Sequence, residues 1–397
     1  MNLRRPDEAM TTTMTQDRHS RTRAAGYDPD RLHHAAVLVA GVGALGQNTA
    51  LNLALLGIGE LRIVDVDVFE DSNLPRSPLY RTTAAGGLKA PNVARALLDV
   101  ATATAPVVRW SSRPLQDLGY GAVDGVDVIV SAVDNAAARA WLSDLAAFTG
   151  IHLVEGGFDA RRVSLSTFPA GVDGACWRCG NPHLEGTFSC RFAAQQAEAA
   201  GVVPAIQTGA AALGALQAEA VAQALHGELP GPRSVHLDVG TGVSRIIELS
   251  RDPGCTGAHR RVEPGGVAVA PSDPAIRLVE AAERVLGEDA QVVLPQPWVD
   301  VAYCMTCRTP ARANATEAAW RLDPRCSRCG GTAEPVEGGP VVVSAIGASA
   351  GAEVLERSCA ELGLLERAVV EVIGADGPAV ALRLQGDVGE LFERAGS

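Results

Sequence analysis

The sequence predicts an α/β protein built on a mostly parallel sheet, followed by a smaller cysteine-rich α/β unit. Three observations carry that expectation. From about residue 35 to residue 157, β-forming segments alternate with segments of helical period. The first strand breaks into glycines and then into a helix, in "VLVAGVGALGQ" (residues 37–47). The composition changes near residue 260, and two C-x-x-C pairs follow, Cys304/Cys307 and Cys326/Cys329. Strand–helix–strand units at this spacing imply a parallel sheet covered on both faces.

The elements follow in order. "AAVLVAG" is a strand, "LGQNTALNLALLG" a helix stopped by Gly57, and "ELRIVDVD" a second strand. "LKAPNVARALLDVATA" is a helix, with Pro91 suited to its first turn. Strands "VVRWSS" and "VDVIVSA", a helix over about 136–149 and the strand "IHLVEGG" complete the alternation. Residues 203–226 read as a long apolar helix rich in small residues, and short strands "SVHLDV" and "SRIIELS" come next. "RRVEPGGVAVAPSDP" reads as a linker, with an amphipathic helix at about 274–286. Beyond the cysteine pairs lie the strand "PVVVSA", a helix near 351–362, and strands "RAVVEVIG" and "AVALRLQGD". The expected organisation is a disordered leader (1–15), a first domain (16–260), a linker with its helix (261–290), and a C-terminal zinc-ribbon and small α/β domain (291–397).

Bulk properties exclude several classes. Hydrophobic residues make up 47% and charged residues 20% of 397, an ordinary globular balance. No apolar run reaches the roughly 18 residues of a membrane span, and the polar first twenty residues lack the hydrophobic core of a signal peptide. A net charge of −12 argues against nucleic acid held by the overall field. Six of nine cysteines fall into C-x-x-C pairs, the first being Cys176/Cys179. Without an export signal such spacing reads as metal ligation in a reducing cytoplasm rather than as disulfides.

Gly41, Gly43 and Gly46 fit G-x-G-x-x-G between a strand and a helix. The first two permit a tight turn and a close approach to pyrophosphate, and the third permits close helix–strand packing. Unpaired N–H groups of the helix start then face phosphate oxygens. Asp65, ending the next strand, is placed to bond ribose hydroxyls. A dehydrogenase needs little more there. Here Asp67, Asn73, Arg76 and Lys89 follow, and two side-chain cations make sense where a triphosphate is gripped and its departing pyrophosphate neutralised. Asp134, just past a strand end in "VSAVDNAAAR", is placed to hold Mg²⁺ beside polyphosphate. A NAD-dependent oxidoreductase would leave Arg76, Lys89 and Asp134 without use, and no catalytic pair for hydride transfer is evident.

From about Arg18 to His259 the chain resembles the ThiF/MoeB/HesA family, the bacterial relatives of ubiquitin-activating E1 enzymes. The motifs that carry the resemblance are "RHSRT" (18–22), "GVGALG", "DVDVFEDSNLPR", "GGLKA", "VDN", "CWRC", Ser189-Cys190, "AGVVP" and "GALQAEA". Three positions depart from the family pattern: His19 and Thr22 in the opening motif, and Ser77 where the family has glutamine. The resemblance implies a Rossmann-like, mostly parallel sheet with an antiparallel extension, and a homodimer. It implies adenylation of the C-terminal carboxylate of a small β-grasp carrier ending in Gly-Gly, with ATP, Mg²⁺ and Zn²⁺ as cofactors. A close variant would activate another carboxylate, on a modified tRNA or a peptide precursor. Carried over by position, Asp65 holds the ribose, Asn73, Arg76 and Lys89 the phosphates, and Asp134 the Mg²⁺. Asp67 and Asn135 line the same nucleotide site. Arg21 reaches into the neighbouring protomer's site, and Cys190 aligns with a cysteine that some members use to carry the activated carrier.

The family also supplies a second C-x-x-C to close a zinc site with Cys176 and Cys179. Cys255 stands at the third ligand, whereas the fourth position is Ala258 with His259 beside it. The reading taken is a structural Cys₃His site completed by His259. "CMTC" and "CSRC", eighteen residues apart, form a closed four-thiolate pattern outside the family core. Cys359 reads as a core residue.

Overall fold

The computed structural model describes residues 19–80, 86–101, 104–159, 161–171, 173–182, 206–335, 342–375 and 379–396. Two short helices, α1 (Ser20–Ala24) and α2 (Pro29–His34), lead into β1 (Ala36–Ala40), α3 (Ala44–Leu56) and β2 (Glu60–Val64). A 3₁₀ segment (Asp71–Arg76) precedes α4 (Lys89–Val100), β3 (Val107–Ser111), α5 (Leu115–Leu118), β4 (Val128–Ser131) and α6 (Ala136–Thr149). The first unit then runs through β5 (His152–Asp159), β6 (Arg162–Phe168), α7 (Trp177–Gly180), α8 (Gln207–Leu225), β7 (Arg233–Asp238) and β8 (Ser244–Glu248).

Strands β3-β2-β1-β4-β5 are parallel, and β6, β7 and β8 extend the sheet antiparallel from β5. The expected parallel sheet with an antiparallel extension is therefore present. Every residue of β1 is buried, as a strand covered on both faces requires. One face carries α3, α4 and α8, with Leu53, Val93, Leu97 and Val221 in a single core. The other carries α6, with Leu142, Leu145 and Trp177. On α4 the buried residues Ala90, Val93, Ala94 and Leu97 recur at helical spacing, so one stripe faces the sheet.

The second unit begins at β9 (Gly265–Gly266) and α9 (Ala275–Leu286). Its sheet is built on the long β10 (Gln291–Cys304), with β11 (Pro310–Thr316), β12 (Ala333–Pro335), β13 (Val342–Ile346), β14 (Val369–Ile373) and β15 (Val380–Arg383). A helix, α10 (Glu317–Leu322), follows β11 directly, and α11 (Ala352–Leu355) follows β13. Leu278, Val279 and Ala282 of α9 pack on Val292, Trp298 and Val370 of this sheet. Arg357 lies over the Trp298 ring at 4.4 Å. The last strand, β16 (Glu393–Arg394), leaves this unit and pairs antiparallel with β3, as the edge of the first sheet.

The helix expected near 351–362 stops at Leu355. Backbone at 357–359 bonds instead to the start of α9, with Ala275 N–H donating to Arg357 and Cys359 N–H to Asp273. Helical hydrogen bonds there would leave the α9 start unsatisfied. Cys359 is fully buried in that core. Among the described residues no helix is long and apolar enough to cross a membrane.

Candidate nucleotide cleft and metal clusters

The glycine turn is set by sterics. Gly41 adopts φ +83°, and a Cβ there would lie 2.7 Å from the Ala132 carbonyl oxygen. At Gly46 a Cβ would lie 1.9 Å from the Gly41 carbonyl oxygen. Both atoms are backbone and cannot yield, so glycine is required at each. Gly43 is the N-cap of α3, and a Cβ on it would meet nothing within 4 Å. That open side lines the cleft. The turn thus presses against the end of β4 on one side and exposes the start of α3 on the other.

Asp65 follows β2 and organises the turn. Its Oδ2 accepts from Val42 N–H at 2.7 Å and its Oδ1 from Asp67 N–H at 2.8 Å. Burial pushes its carboxyl above the usual range, while Lys89 and these two N–H groups pull the other way. Lys89 opens α4, its Nζ 2.8 Å from Asp67 Oδ2. Asn73 and Arg76 lie on the 3₁₀ segment Asp71–Arg76, where Asn73 Oδ1 accepts from Glu70 N–H at 3.2 Å. Arg76 is half-buried and lines the cleft. Asp134 is exposed in the same cleft, and Asn135, rather than Asp134, caps α6 by accepting from Ala138 N–H at 2.8 Å. The Asp134 carboxylate is therefore not consumed as a helix cap. Gly41, Gly43, Asp65, Asp67, Asn73, Arg76, Lys89, Asp134 and Asn135 all line one cleft. Gly46 sits behind the turn as packing.

Arg21 is exposed on α1 and is not among the residues lining this cleft. Arg18 and Cys190 lie outside the described residues.

Several residues in and behind the cleft escaped sequence reasoning. Arg139 of α6 pairs with Glu155 of β5, both nearly inaccessible, and its Nη2 donates to the Val133 carbonyl at 2.9 Å. This pair fixes the backbone immediately before Asp134. Fully buried Gln217 of α8 donates to the Ser131 carbonyl at 3.0 Å and accepts from the Thr49 hydroxyl at 2.6 Å. It ties α3 and α8 to the end of β4. The sequence signals were an arginine four places after Asn135 and a glutamine within the motif "GALQAEA", to which the sequence alone gives no role. Arg162, His236 and Arg245 line the antiparallel side, and Ala318, Arg321 and Leu322 of α10 reach the cleft from the second unit. The cleft encloses about 1800 Å³, beyond the roughly 300–1,000 Å³ of a single small-molecule pocket.

The cysteines gather into two clusters. In the first, Cys176 Sγ lies 3.8 Å from Cys179 Sγ and 3.6 Å from Cys255 Sγ, and Cys179 Sγ lies 3.3 Å from His259 Nε2. A tetrahedral zinc with Zn–S near 2.3 Å and Zn–N near 2.05 Å has ligand edges of about 3.6–3.8 Å. The two sulfur–sulfur separations match those edges and the sulfur–nitrogen one is slightly shorter, so the donor set suits zinc. In the second, Cys304–Cys329 and Cys307–Cys326 separations are 3.5 and 3.9 Å. All four ligand atoms of each cluster lie within 4.8 Å of one another. The Thr309 hydroxyl, 3.0 Å from Cys307 Sγ, brings that thiol down to about 6, toward the thiolate a metal needs.

The family model described as "ThiF family" matches residues 17–257. The SAMP-activating enzyme E1 of Haloferax volcanii is 36% identical over 154 residues, 38% of this chain and 54% of that protein. The adenylyltransferase and sulfurtransferase uba4 of Aspergillus niger is 31% identical over 235 residues, 57% of this chain and 48% of that protein. The Mus musculus adenylyltransferase and sulfurtransferase MOCS3 is 36% identical over 38% of this chain and 33% of that protein. The chain thus spans between a third and about half the length of these relatives. Among solved structures, that of E. coli MccB with ATP superposes with TM-score 0.50 at 18% identity, over 62% of this chain and 75% of that one. This last likeness is one of fold.

Proposed function

The chain belongs to the ThiF family, and from that premise we propose that it adenylates the C-terminal carboxylate of a small ubiquitin-like or sulfur-carrier protein ending in Gly-Gly, with release of pyrophosphate. The observation that carries the reading is the convergence of Arg76, Lys89 and Asp134 on the open side of the glycine turn. Dinucleotide binding has no need of that set. The named relatives act as adenylyltransferases or as an E1, which supports the same reading.

ATP supplies an α-phosphorus with a good leaving group, and Mg²⁺ would neutralise charge on its phosphates. Asp134 is the carboxylate suited to that metal, since it is exposed to the cleft and makes no ion pair among the described residues. The remaining work falls to the chain. Asp65 and the start of α3 fix ribose and phosphates. The acceptor carboxylate is already ionised at neutral pH, so its attack on the α-phosphorus needs no general base. An O–P bond forms as the bond to pyrophosphate breaks, and Arg76 and Lys89 stabilise the departing charge. Lys89 is held by Asp67 before phosphate arrives, so it is preset and need not be recruited. Arg21 would complete the cleft of a partner protomer in a homodimer, and where transfer follows the Cys190 thiolate would take the acyl group as a thioester, with AMP as the leaving group. The two cysteine clusters would hold structural zinc, since neither offers an open ligand position.

Pyrophosphate exchange tests the reading. Labelled pyrophosphate should enter ATP only when Mg²⁺ and a Gly-Gly carrier are both present, and Asp134→Ala should abolish it. Exchange driven instead by a peptide or tRNA-linked carboxylate would redirect the substrate assignment. Tight NADH binding with no exchange would overturn the adenylation reading.

A further inference from the structure

The second unit does more than follow the first; it supplies part of the cleft. Across the sheet, Asp65 stands at the end of β2, and the neighbouring β3 ends at Ser111, whose carbonyl accepts from Asp65 N–H at 3.2 Å. Beyond β3 the chain turns through Pro114 into α5, and α10 of the second unit packs against α5. On the opposite side of the glycine turn lie Asp134, then β5 and the antiparallel strands. A nucleotide with phosphates at the start of α3 and ribose at Asp65 has its γ-phosphate side toward Asp134. Pro114, Leu115 and α10 line the cleft on the side of Asp65, where the base of such a nucleotide would lie.

The contact is built rather than incidental. Thr316, buried at the start of α10, accepts from Ala319 N–H and donates its hydroxyl to Asp117 Oδ1 of α5 at 2.7 Å. One hydroxyl therefore caps the helix and docks it. The helix lies, with β11 before it, in the segment between the two knuckles of the second cluster, Cys304/Cys307 and Cys326/Cys329. A second clasp lies further along β3, where β16 pairs with it and Ala395 N–H donates to the Val108 carbonyl. Leu322 is 57% exposed, yet it lines the cleft with Ala318 and Arg321. An apolar side chain and a guanidinium plane are the surfaces on which a purine base stacks.

We infer that α10 is the base-side wall of the nucleotide cleft, so that the cysteine ribbon sets the affinity for the purine of the nucleotide. The inference rests on the adenylation reading for the identity of the nucleotide. It makes Leu322 and Arg321 purine-contacting residues and makes Thr316 a positioning residue.

The test is direct nucleotide binding by the full zinc-loaded chain, without acceptor, using ATP and GTP with Mg²⁺ in a calorimetric titration. Leu322→Asp and Arg321→Ala should each raise the ATP dissociation constant about tenfold, the effect of losing one stacking or apolar contact. Both should weaken GTP binding in step with ATP binding, since a stacking or apolar contact does not distinguish one purine from another, and leave the acceptor KM in pyrophosphate exchange unchanged. Leu322→Met should restore wild-type binding, and Thr316→Val should weaken binding without altering the ratio of the two nucleotides. Zinc content and circular dichroism confirm that each variant folds. Unchanged ATP affinity in both cleft variants, or a change confined to the acceptor KM, overturns the inference while leaving adenylation standing. Failure of the wild-type chain to bind ATP at all would instead remove the adenylation reading, and this inference with it.

Discussion

Removing the Arg139 side chain isolates a carboxylate in the core. Glu155 and Arg139 are 3% and 8% exposed, and each is the other's charged partner. In Arg139→Met the methionine fills most of the space but returns no charge. Breaking a buried pair by deleting one member costs about 3–5 kcal/mol, because the remaining ion has lost its solvent and its partner. The Val133 carbonyl also loses a donor, about 1 kcal/mol more. Urea unfolding at pH 7 should therefore show a loss of about 4 kcal/mol or more, and Arg139→Met/Glu155→Leu should recover at least about 2 kcal/mol of it. The pH dependence has a definite sign. Burial already pushes Glu155 above the usual carboxyl range, against the pull of Arg139 and Ser166, and deletion of Arg139 raises it further. Between that raised value and the ordinary glutamate value near 4.3, the folded variant binds a proton that the unfolded chain does not. Stability then rises as pH falls, and each unit within that window returns about 1.4 kcal/mol. A loss below about 1 kcal/mol at pH 7, or a deficit that widens on acidification, would refute the reasoning.

Four further outcomes are expected. Gly46→Ala should weaken ATP binding more than tenfold and cost about 1–3 kcal/mol of stability, since its Cβ meets the Gly41 carbonyl at 1.9 Å; unchanged binding by calorimetry would contradict the packing. Lys89→Ala should lower carrier-dependent exchange by about 10²–10³ with near-normal folding, because its salt bridge to Asp67 is largely exposed on the acid's side; equal rates would remove Lys89 from the phosphate site. Elemental analysis should find two zinc ions per chain, and His259→Ala should release one of them to a chromophoric chelator at least tenfold faster while Cys304's cluster keeps its own. A single zinc in the wild type would disprove one cluster. Cys190→Ala should retain exchange and lose any reducible adduct with the carrier, and an absent adduct in the wild type would end the covalent proposal.

The first unit was legible because each local signal agreed with its tertiary setting. Alternating periods, the glycine turn and Pro91 all describe features set within single strand–helix–strand units, although β1 also pairs with the distant β4. Strand β6 was missed since its buried face mixes Val163 and Leu165 with Thr167, and its polar flank reads as loop. In β10, Pro295 and Pro297 disguise a strand of fourteen residues; the structure accommodates them where the register slips between Val293 and Trp298. No pattern in two residues could announce β16. For the site, Gly41, Asp65 and Lys89 were visible because motifs fix them in one stretch of chain. Arg139, Gln217 and Leu322 were not, because their meaning comes from long-range contact alone: a carbonyl before Asp134, a carbonyl ending β4, and a cleft formed by another unit.

The pairing of β16 with β3 has a consequence for how the molecule is made. Its two strands are separated by most of the polypeptide, so the rim of the first sheet must wait, open, while everything between is synthesised and folded. A waiting rim of unpaired amide groups invites annealing with another molecule. Residues 17–257 produced by themselves should accordingly associate through that rim, and adding a peptide copied from residues 388–396 should disperse them.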